Sequence, residues 1–284
     1  MSAINNKIWP SFTKENPCPA CGRFDWTCRA GDKVFVCMRV ASNRTAKDGG
    51  FYHEYGGNKP SYIPPKRSAP KTIANFEFII KDWKQRFTTL RNISIFSGYL
   101  GVSPESIEYL EGVWGGDEEW AIPMRDGDNK IIGIHLRADD GSKKAVTGSR
   151  NGLFIPQIKP EKVAYLPEGA SNTAALLTMG FYAIGRPSCN SGGEMLKVAL
   201  KRLGVTRIVI VADNDCLKTA PDGRTFRPGQ DGAKKLKKEL GLMSVIFTPP
   251  NPLKDVRDLL KNLGIESARN YITNSVSQKI WTKA

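Results

Sequence analysis

Three features of the chain predict an α/β fold built in more than one part. From Lys162 onward, short apolar runs alternate strictly with amphipathic segments, the pattern of a parallel sheet wrapped by helices. Four of the six cysteines fall between positions 18 and 37, in a stretch without a long apolar period. Between these regions, Gly56 to Lys71 is rich in proline and basic residues and carries no periodicity, which describes an extended linker. The expected order is a small β-rich module over 1–57, a linker over 58–71 and a mixed α+β basic subdomain over 72–160. A parallel α/β domain over 161–264 and a final helix over 265–284 complete it.

Composition bounds the partners. At 284 residues and 40% hydrophobic content the chain can hold one sizeable core and an accessory module. A formal net charge of +14 is suited to polyanions. Nucleic acid leads; an anionic membrane is second, because no basic amphipathic helix stands out. The start Met-Ser-Ala-Ile-Asn-Asn has no basic stretch followed by an apolar one, and no window reaches the ~20 apolar residues of a membrane span, so a cytoplasmic protein with no membrane partner is expected.

The elements follow in order. Ile73 to Phe87 and Ser103 to Leu110 read as helices, the second opening on an N-cap serine with proline behind it. Trp120 to Met124, Lys130 to Arg137 and Lys144 to Thr147 read as strands, with Arg125-Asp-Gly-Asp-Asn turning between the first two. Strands are then expected at Val163–Leu166, Tyr182–Gly185, Arg207–Ala212 and Ser244–Phe247, and helices at Asn172–Met179, Glu194–Leu203, Gly232–Leu240 and Val256–Leu263. Gly180, Gly204, Gly241 and Gly264 are placed to end the helices. The tail from Glu266 is expected to be helical with a frayed end.

Two constellations carry chemistry. Leu-Pro-Glu168-Gly and Val-Ala-Asp213-Asn-Asp215 each follow an apolar run, so the carboxylates of Glu168, Asp213 and Asp215 are expected together at the carboxyl edge of the sheet. Two residues apart on an extended chain, Asp213 and Asp215 point one way and Asn214 the other. Such a set suits Mg²⁺, which takes one or two carboxylates and leaves room for phosphates; surface acids and helix caps give the same spacing. The second constellation is Cys18-Pro-Ala-Cys21 with Cys28 and Cys37, whose four thiolates would close a tetrahedral zinc site and staple a module too small to fold on its core alone. His53 is an alternative ligand. Phe24, Trp26, Arg29, Lys33, Phe35 and Arg39 interleave rings and charges, which fits stacked single-stranded bases or simply the module's core. Val34 and Phe35 alternate across a strand, so one faces inward. Cys189, Cys216 and His135 read as structural.

The Glu-Gly, Asp-x-Asp and Gly-Ala pattern resembles the Toprim fold, a Rossmann-like parallel sheet shared by topoisomerases, primases and some nucleases. The flanks resemble the DNA primase branch of phage, plasmid or prophage type. Ala121 to Arg137, followed by Lys144-Ala-Val-Thr-Gly-Ser, is similar to the basic subdomain that precedes Toprim in bacterial-type primases, and Lys254-Asp255-Val-Arg-Asp258 is similar to the acidic motif that completes the metal site. The resemblance implies Mg²⁺ or Mn²⁺ held by Glu168, Asp213, Asp215 and Asp255, with Arg137 and Lys144 toward nucleotide and template. It implies an N-terminal zinc ribbon, single-stranded DNA and nucleoside triphosphates as partners, and RNA primers as product. With no Gly-x-x-x-x-Gly-Lys-Ser/Thr segment, unwinding falls to a separate helicase. A Toprim nuclease and a non-catalytic single-strand-binding replication module remain the alternatives. The insertion Cys216 to Gln230, with Lys218, Arg224 and Arg227, reads as a solvated loop or a further phosphate contact.

Overall fold

A computed structural model describes residues 9–24, 27–46, 50–55, 74–115, 119–138, 141–219 and 223–283. The chain divides into two compact units, Met1–Lys71 and Thr72–Ala284. The expected linker at 58–71 and Trp26 lie outside the described residues.

The first unit is an antiparallel sheet of β1 (Arg29–Ala30), β2 (Val34–Cys37) and β3 (Phe51–Glu54) in that spatial order. Its core is small: Phe12, Ala30 and Phe35 pack with Cys18, Cys28 and Cys37. Phe35 is the strand residue that faces inward, with Phe12 edge-on at 5.7 Å, while Phe24 stays 54% exposed.

The second unit opens with α1 (Phe76–Arg86), α2 (Leu90–Leu100) and α3 (Pro104–Tyr109). Ser103 caps α3 ahead of Pro104, as the sequence predicts. The helix α2 was not predicted: Asn92, Ser94, Ser97 and Gly98 give it a weak intrinsic preference. A Thr89–Asn92 capping box starts it, Gly101 in the left-handed region ends it, and burial of Ile93, Phe96 and Leu100 holds it.

An antiparallel sheet follows, β4 (Val113–Trp114), β5 (Glu119–Arg125), β6 (Ile131–Ala138) and β7 (Lys143–Ala145), in sequence order. Alternation along β5 splits its two faces. Trp120, Ile122 and Met124 join α2 and α3 in the main core, and Ala121 packs with Phe76 and Ile80 of α1.

The rest of the unit is β8 (Val163–Leu166), α4 (Gly169–Thr178), α5 (Gly193–Arg202), β9 (Arg207–Val211), β10 (Lys218–Thr219), β11 (Thr225–Phe226), α6 (Pro228–Leu240), β12 (Met243–Phe247), α7 (Val256–Leu263) and α8 (Ile265–Ser277). The strands β12, β9 and β8 are parallel neighbours in that order. The segment expected as a strand at 182–185 takes its place through parallel bridges Tyr165–Ala183 and Glu168–Arg186. Antiparallel bridges Gly185–Phe154 and Leu153–Arg125 then carry the hydrogen bonding across to β5, so both sheets of the unit are continuous through this lane. On β9, Val209 and Val211 face α4, α7 and α8, whereas Ile208 and Ile210 face α5 and α6. Helices cover both faces, as a parallel sheet requires.

Gly180, Gly204, Gly241 and Gly264 all have positive φ at or just past helix ends. The tail departs from expectation: α8 stops at Ser277, and Thr282 returns to pair with Ser244 at 3.0 and 3.4 Å. An extended return covers the open edge of β12, where a frayed helix would have left it bare.

The plane of Phe96 stacks on Trp120 at 4.4 Å, and Phe96 is 1% exposed. Phe96→Ala is expected to cost about 3–5 kcal/mol of stability. Ile95→Ala, on the outer face of the same helix, should cost less than about 0.5 kcal/mol. Urea unfolding followed by tryptophan fluorescence checks both.

Candidate active site

Local backbone geometry sets the acids at the carboxyl ends of β8 and β9. Glu168 is the extended N-cap residue of α4, and Gly169 behind it has φ of +75°. That left-handed turn is what a glycine supplies, and it starts α4 three residues earlier than its apolar pattern suggests. After β9, the Asp215 carboxylate accepts a 2.8 Å hydrogen bond from the Gly229 N–H in the first turn of α6. Position 229 must be glycine here, because a Cβ would stand 2.5 Å from the Asp213 carbonyl oxygen.

Asn214 turns the opposite way. Its Nδ2 donates to Asn251 Oδ1 at 2.7 Å and to the Leu253 carbonyl at 3.2 Å, and its N–H donates to the Lys254 carbonyl at 2.6 Å. This asparagine fastens the Asp-Asn-Asp loop to the segment carrying Asp255. Asp255 caps α7, its Oδ1 accepting from the Asp258 N–H at 2.9 Å.

A cavity of about 320 Å³ opens at this edge and is lined by Glu168, Asp213, Asp255 and Arg137 among the expected residues. Asp215 is not part of the lining; its carboxylate is turned to α6. Lys144 is not part of it either, and sits in an ion pair with Glu119 at 2.7 Å. The reason is strand alternation. Arg137 is registered opposite Lys143, and Leu136 opposite Lys144, so Lys143 shares the cavity face with Arg137 and Lys144 takes the other.

Other lining residues escaped the sequence reading: Asn172 on α4, and Lys254 and Arg257 at the start of α7. The last two flank Asp255 in sequence, which was the available signal. Arg186 was also missed. It is 1% exposed, donates from Nη1 to the Cys189 carbonyl at 3.1 Å, and stands beside Glu168 and Asp213 as a buried cation. A lone arginine ending the apolar run Tyr-Ala-Ile-Gly is a trace of that role.

Electrostatics separates the groups. Burial, then Glu168, Asp255 and Asp215, pushes the Asp213 carboxyl up to about 7. Burial also raises Glu168, against the pull of Arg186. Lys143 is lowered by burial and by Arg137 and Arg257. Burial and then Lys143 and Arg137 bring His135 down to about 4, so its ring is neutral at pH 7, edge-on to Phe154 at 5.7 Å.

In the first unit the ligating atoms of Cys18, Cys21, Cys28 and Cys37 all lie within 4.8 Å of one another. Several N–H groups point at the sulfurs, among them Met38 to Cys28 Sγ at 3.4 Å, and Arg39 and Val40 to Cys37 Sγ at 3.4 and 3.2 Å. Such donors stabilise thiolates and orient a tetrahedral sulfur site. Burial lifts Cys18 to about 12; Cys21 feels the same penalty, yet hydrogen bonds from the Arg23 backbone and the neighbouring thiols bring it to about 7. His53 stands outside the set, stacked on Phe35 and bonded through Nε2 to the Val40 carbonyl at 2.9 Å. The four cysteines form a donor set that could hold a metal ion without it.

No protein-family model matches the sequence, and no curated protein is found as a sequence relative. Solved structures do match. The chain is similar to a DnaG primase catalytic domain bound to single-stranded DNA, at TM-score 0.54 and 12% identity over 72% of this chain and 77% of that one. The primase of Aquifex aeolicus, with its zinc-binding and RNA polymerase domains, matches at TM-score 0.53 and 16% identity over 70% of this chain and 60% of that one. The fold is that of a DnaG-type primase core. A further DnaG catalytic core matches at TM-score 0.52 and 13% identity over 72% and 77% of the two chains.

Within the primase-core fold, the insertion after Asp215 carries a short antiparallel ladder of β10 and β11, with the residues of both strands exposed, as expected of a solvated loop. Lys218 and Phe226 are paired across it, and both are exposed.

Asp213 gives the primase-core fold a signature in pH. A folded value near 7 against ~3.8 unfolded means the native state binds the extra proton between those values, so stability falls as pH rises through that window. The loss is about 1.4 kcal/mol for each unit of displacement. Asp213→Asn should unfold at higher urea than wild type at pH 8 without divalent cations, and the difference should close by pH 4.

Proposed function

We propose that the protein is a DNA primase, copying single-stranded DNA into short RNA primers in the replication of a phage, plasmid or integrated element. The observation that carries this reading is the meeting of Glu168, Asp213 and Asp255 with Arg137 and Lys143 in one cavity, at the carboxyl edge of a sheet with the primase-core fold.

The residues fit a hard divalent cation. Asp213 is pushed up to about 7 by burial and by its acidic neighbours, an arrangement that a cation relieves. The buried Asn172 Oδ1 has no hydrogen-bond partner, and the donors are all oxygen. Glu168, Asp213 and Asp255 would hold Mg²⁺ or Mn²⁺, with Asp215 turned to α6 rather than to the cavity; the cation when bound would supply Lewis-acid stabilisation of the charge that develops on the transferred phosphoryl group.

The transfer itself balances simply. The primer 3′ oxygen forms a bond to the α-phosphorus, the bond from that phosphorus to the bridging oxygen breaks, and pyrophosphate leaves with the electron pair. The hydroxyl proton goes to a base. Glu168, raised by burial and lying on the cavity, is suited to take it; its other role is as a cation contact. Arg137 and Lys143 neutralise phosphate charge from the β6–β7 side, the part first expected of Lys144. The four-cysteine module binds Zn²⁺ and engages the unpaired template, and a separate helicase supplies it.

Labelled-ribonucleotide incorporation on single-stranded DNA with Mg²⁺ or Mn²⁺ tests the reading. Wild type should make short oligomers, and Asp213→Asn and Glu168→Gln should lose at least about 100-fold in rate. Cleavage of the template without oligomers would point to a nuclease, and binding with neither activity to an accessory module. Lys144→Ala should retain most activity.

The zinc assignment has its own check. Metal analysis should find one Zn²⁺ per chain, lost in Cys18→Ser, with template-dependent initiation abolished and the urea transition of the second unit unchanged. Full zinc content in that variant would remove Cys18 from the ligand set.

A further inference from the structure

The ribbon of β10 and β11 lies outside both cores of the second unit. Among the described residues its two strands pair only with each other, and none of its side chains joins either large hydrophobic cluster. A lone two-stranded ribbon is marginal in water. Every described residue from Cys216 to Arg227 is exposed, Leu217 at 57% and Phe226 at 39%. Packing therefore gives no reason for the ring.

What the ribbon does have is a fixed root. It leaves directly from Asp215 and leads into α6, and hydrogen bonds fasten its return to the acidic loop. Gly229 N–H donates to Asp215 Oδ2 at 2.8 Å, and Gln230 Nε2 donates to Asn214 Oδ1 and to the Asp215 carbonyl, each at 3.3 Å. The Arg227 N–H donates to Asp231 at 2.9 Å. Helix α6 covers the sheet face opposite α4 and α7, whose residues line the cavity. The ribbon is thus rooted at the acids, on the α6 side of the sheet edge.

Its composition narrows the partner. The segment carries Lys218, Arg224 and Arg227 against one acid, Asp222. Lys218 is registered opposite Phe226, so a cation and an exposed ring share one face of the ladder. Cations beside a ring fit a nucleic-acid strand, because the charges meet phosphates while the ring meets a base. A duplex keeps its base faces stacked inside, so the ring favours an unpaired strand. An acidic protein would answer the charges alone.

We infer that the β10–β11 ribbon is a second hold on single-stranded DNA, with a base stacked on Phe226 and neighbouring phosphates met by Lys218 and Arg227. The inference deepens the primase reading and rests on it for the strand's being the template. It gives that strand a contact outside both the cavity and the four-cysteine module.

Labelled oligothymidylate is the probe, titrated into the full chain without divalent cation or nucleotide and followed by fluorescence anisotropy. A blunt dA·dT duplex of the same length is the control. Phe226→Ala should weaken single-strand binding about 5- to 100-fold and leave duplex binding unchanged, and Phe226→Trp should restore the single-strand affinity. Lys218→Gln should weaken binding and reduce the slope of log K against log salt by about 0.7, one phosphate's share on a single strand, whereas Phe226→Ala should leave that slope alone. Both side chains are exposed, so the urea midpoint should stay where it is. With 5-iodouracil in place of thymine, ultraviolet light should cross-link the strand to a peptide containing Phe226. Unchanged single-strand affinity in Phe226→Ala and Lys218→Gln, as expected if a protein covers the ribbon instead, would overturn the inference, and so would equal losses on single strand and duplex. If wild type makes primers in that case, the primase reading stands without the ribbon. If both variants lose single-strand affinity and wild type makes no primers, the ribbon stands and the primase reading falls.

Discussion

The second unit depends on holding several half-buried carboxylates together at one sheet edge. Two such groups ~4 Å apart repel by about 4 kcal/mol at an effective dielectric near 20, and burial adds to the penalty. The surrounding structure answers that cost piece by piece. Arg186, almost fully buried, sets a permanent positive charge next to Glu168 and Asp213. Gly229 lets the first turn of α6 approach closely enough to donate an N–H to Asp215. Asn172 Nδ2 lies 3.3 Å from Asp213 Oδ1 as a neutral donor. For Asp213 these devices fall short of the burial and of its acidic neighbours, and its carboxyl is held near 7; Glu168 stays raised as well.

The opposite wall is governed by register. On a two-residue period, a shift of one position moves a side chain from the cavity to the outer face, and that is the whole difference between Lys143 and Lys144. Glu119, which meets Lys144 on the outer face, is one position before Trp120, whose partner in register is Arg137. The β5–β6–β7 sheet thereby sorts its charges: Arg137 and Lys143 share the cavity with Glu168 and Asp213, whereas Lys144 pairs with Glu119 outside it. Continuity of hydrogen bonding from β5 through Leu153 and Gly185 to the parallel sheet makes this wall and the acidic edge parts of one body.

How much of this was legible follows from what each signal measures. Period and punctuation located β8, β9, β12, α5 and α7 closely, because burial on both faces of a parallel sheet leaves long apolar runs and positive-φ glycines end the helices. The Glu-Gly and Asp-Asn-Asp pairs, and Asp255, were readable because they stand immediately after such runs. The four cysteines were readable from their density. The failures share a different cause. Helix α2 owes its stability to Phe96 and Leu100 meeting β5, a tertiary contact that overrides poor local preference. The C-terminal return to Ser244 answers an open strand edge that no local pattern records. Lys143, Asn172, Arg186 and Arg257 become distinctive only once distant segments meet, and one of them was displaced by its neighbour through a single step of register.

The two units solve a charge problem in contrasting ways. In the first, three of the four thiols are themselves core residues, so the ligand set and the hydrophobic core are the same object. Sulfur tolerates that burial, and the donors from Met38, Arg39 and Val40 already fix where the thiolates lie. In the second unit the core is complete without any ligand: the helices on the two faces of the parallel sheet pack in two large clusters, and the acids sit at the sheet's edge. The cation proposed for these acids would therefore not need to supply folding energy. Soft donors are spent on structure where the core is too small, and hard donors are kept at an edge where the core is large enough to hold them charged and waiting.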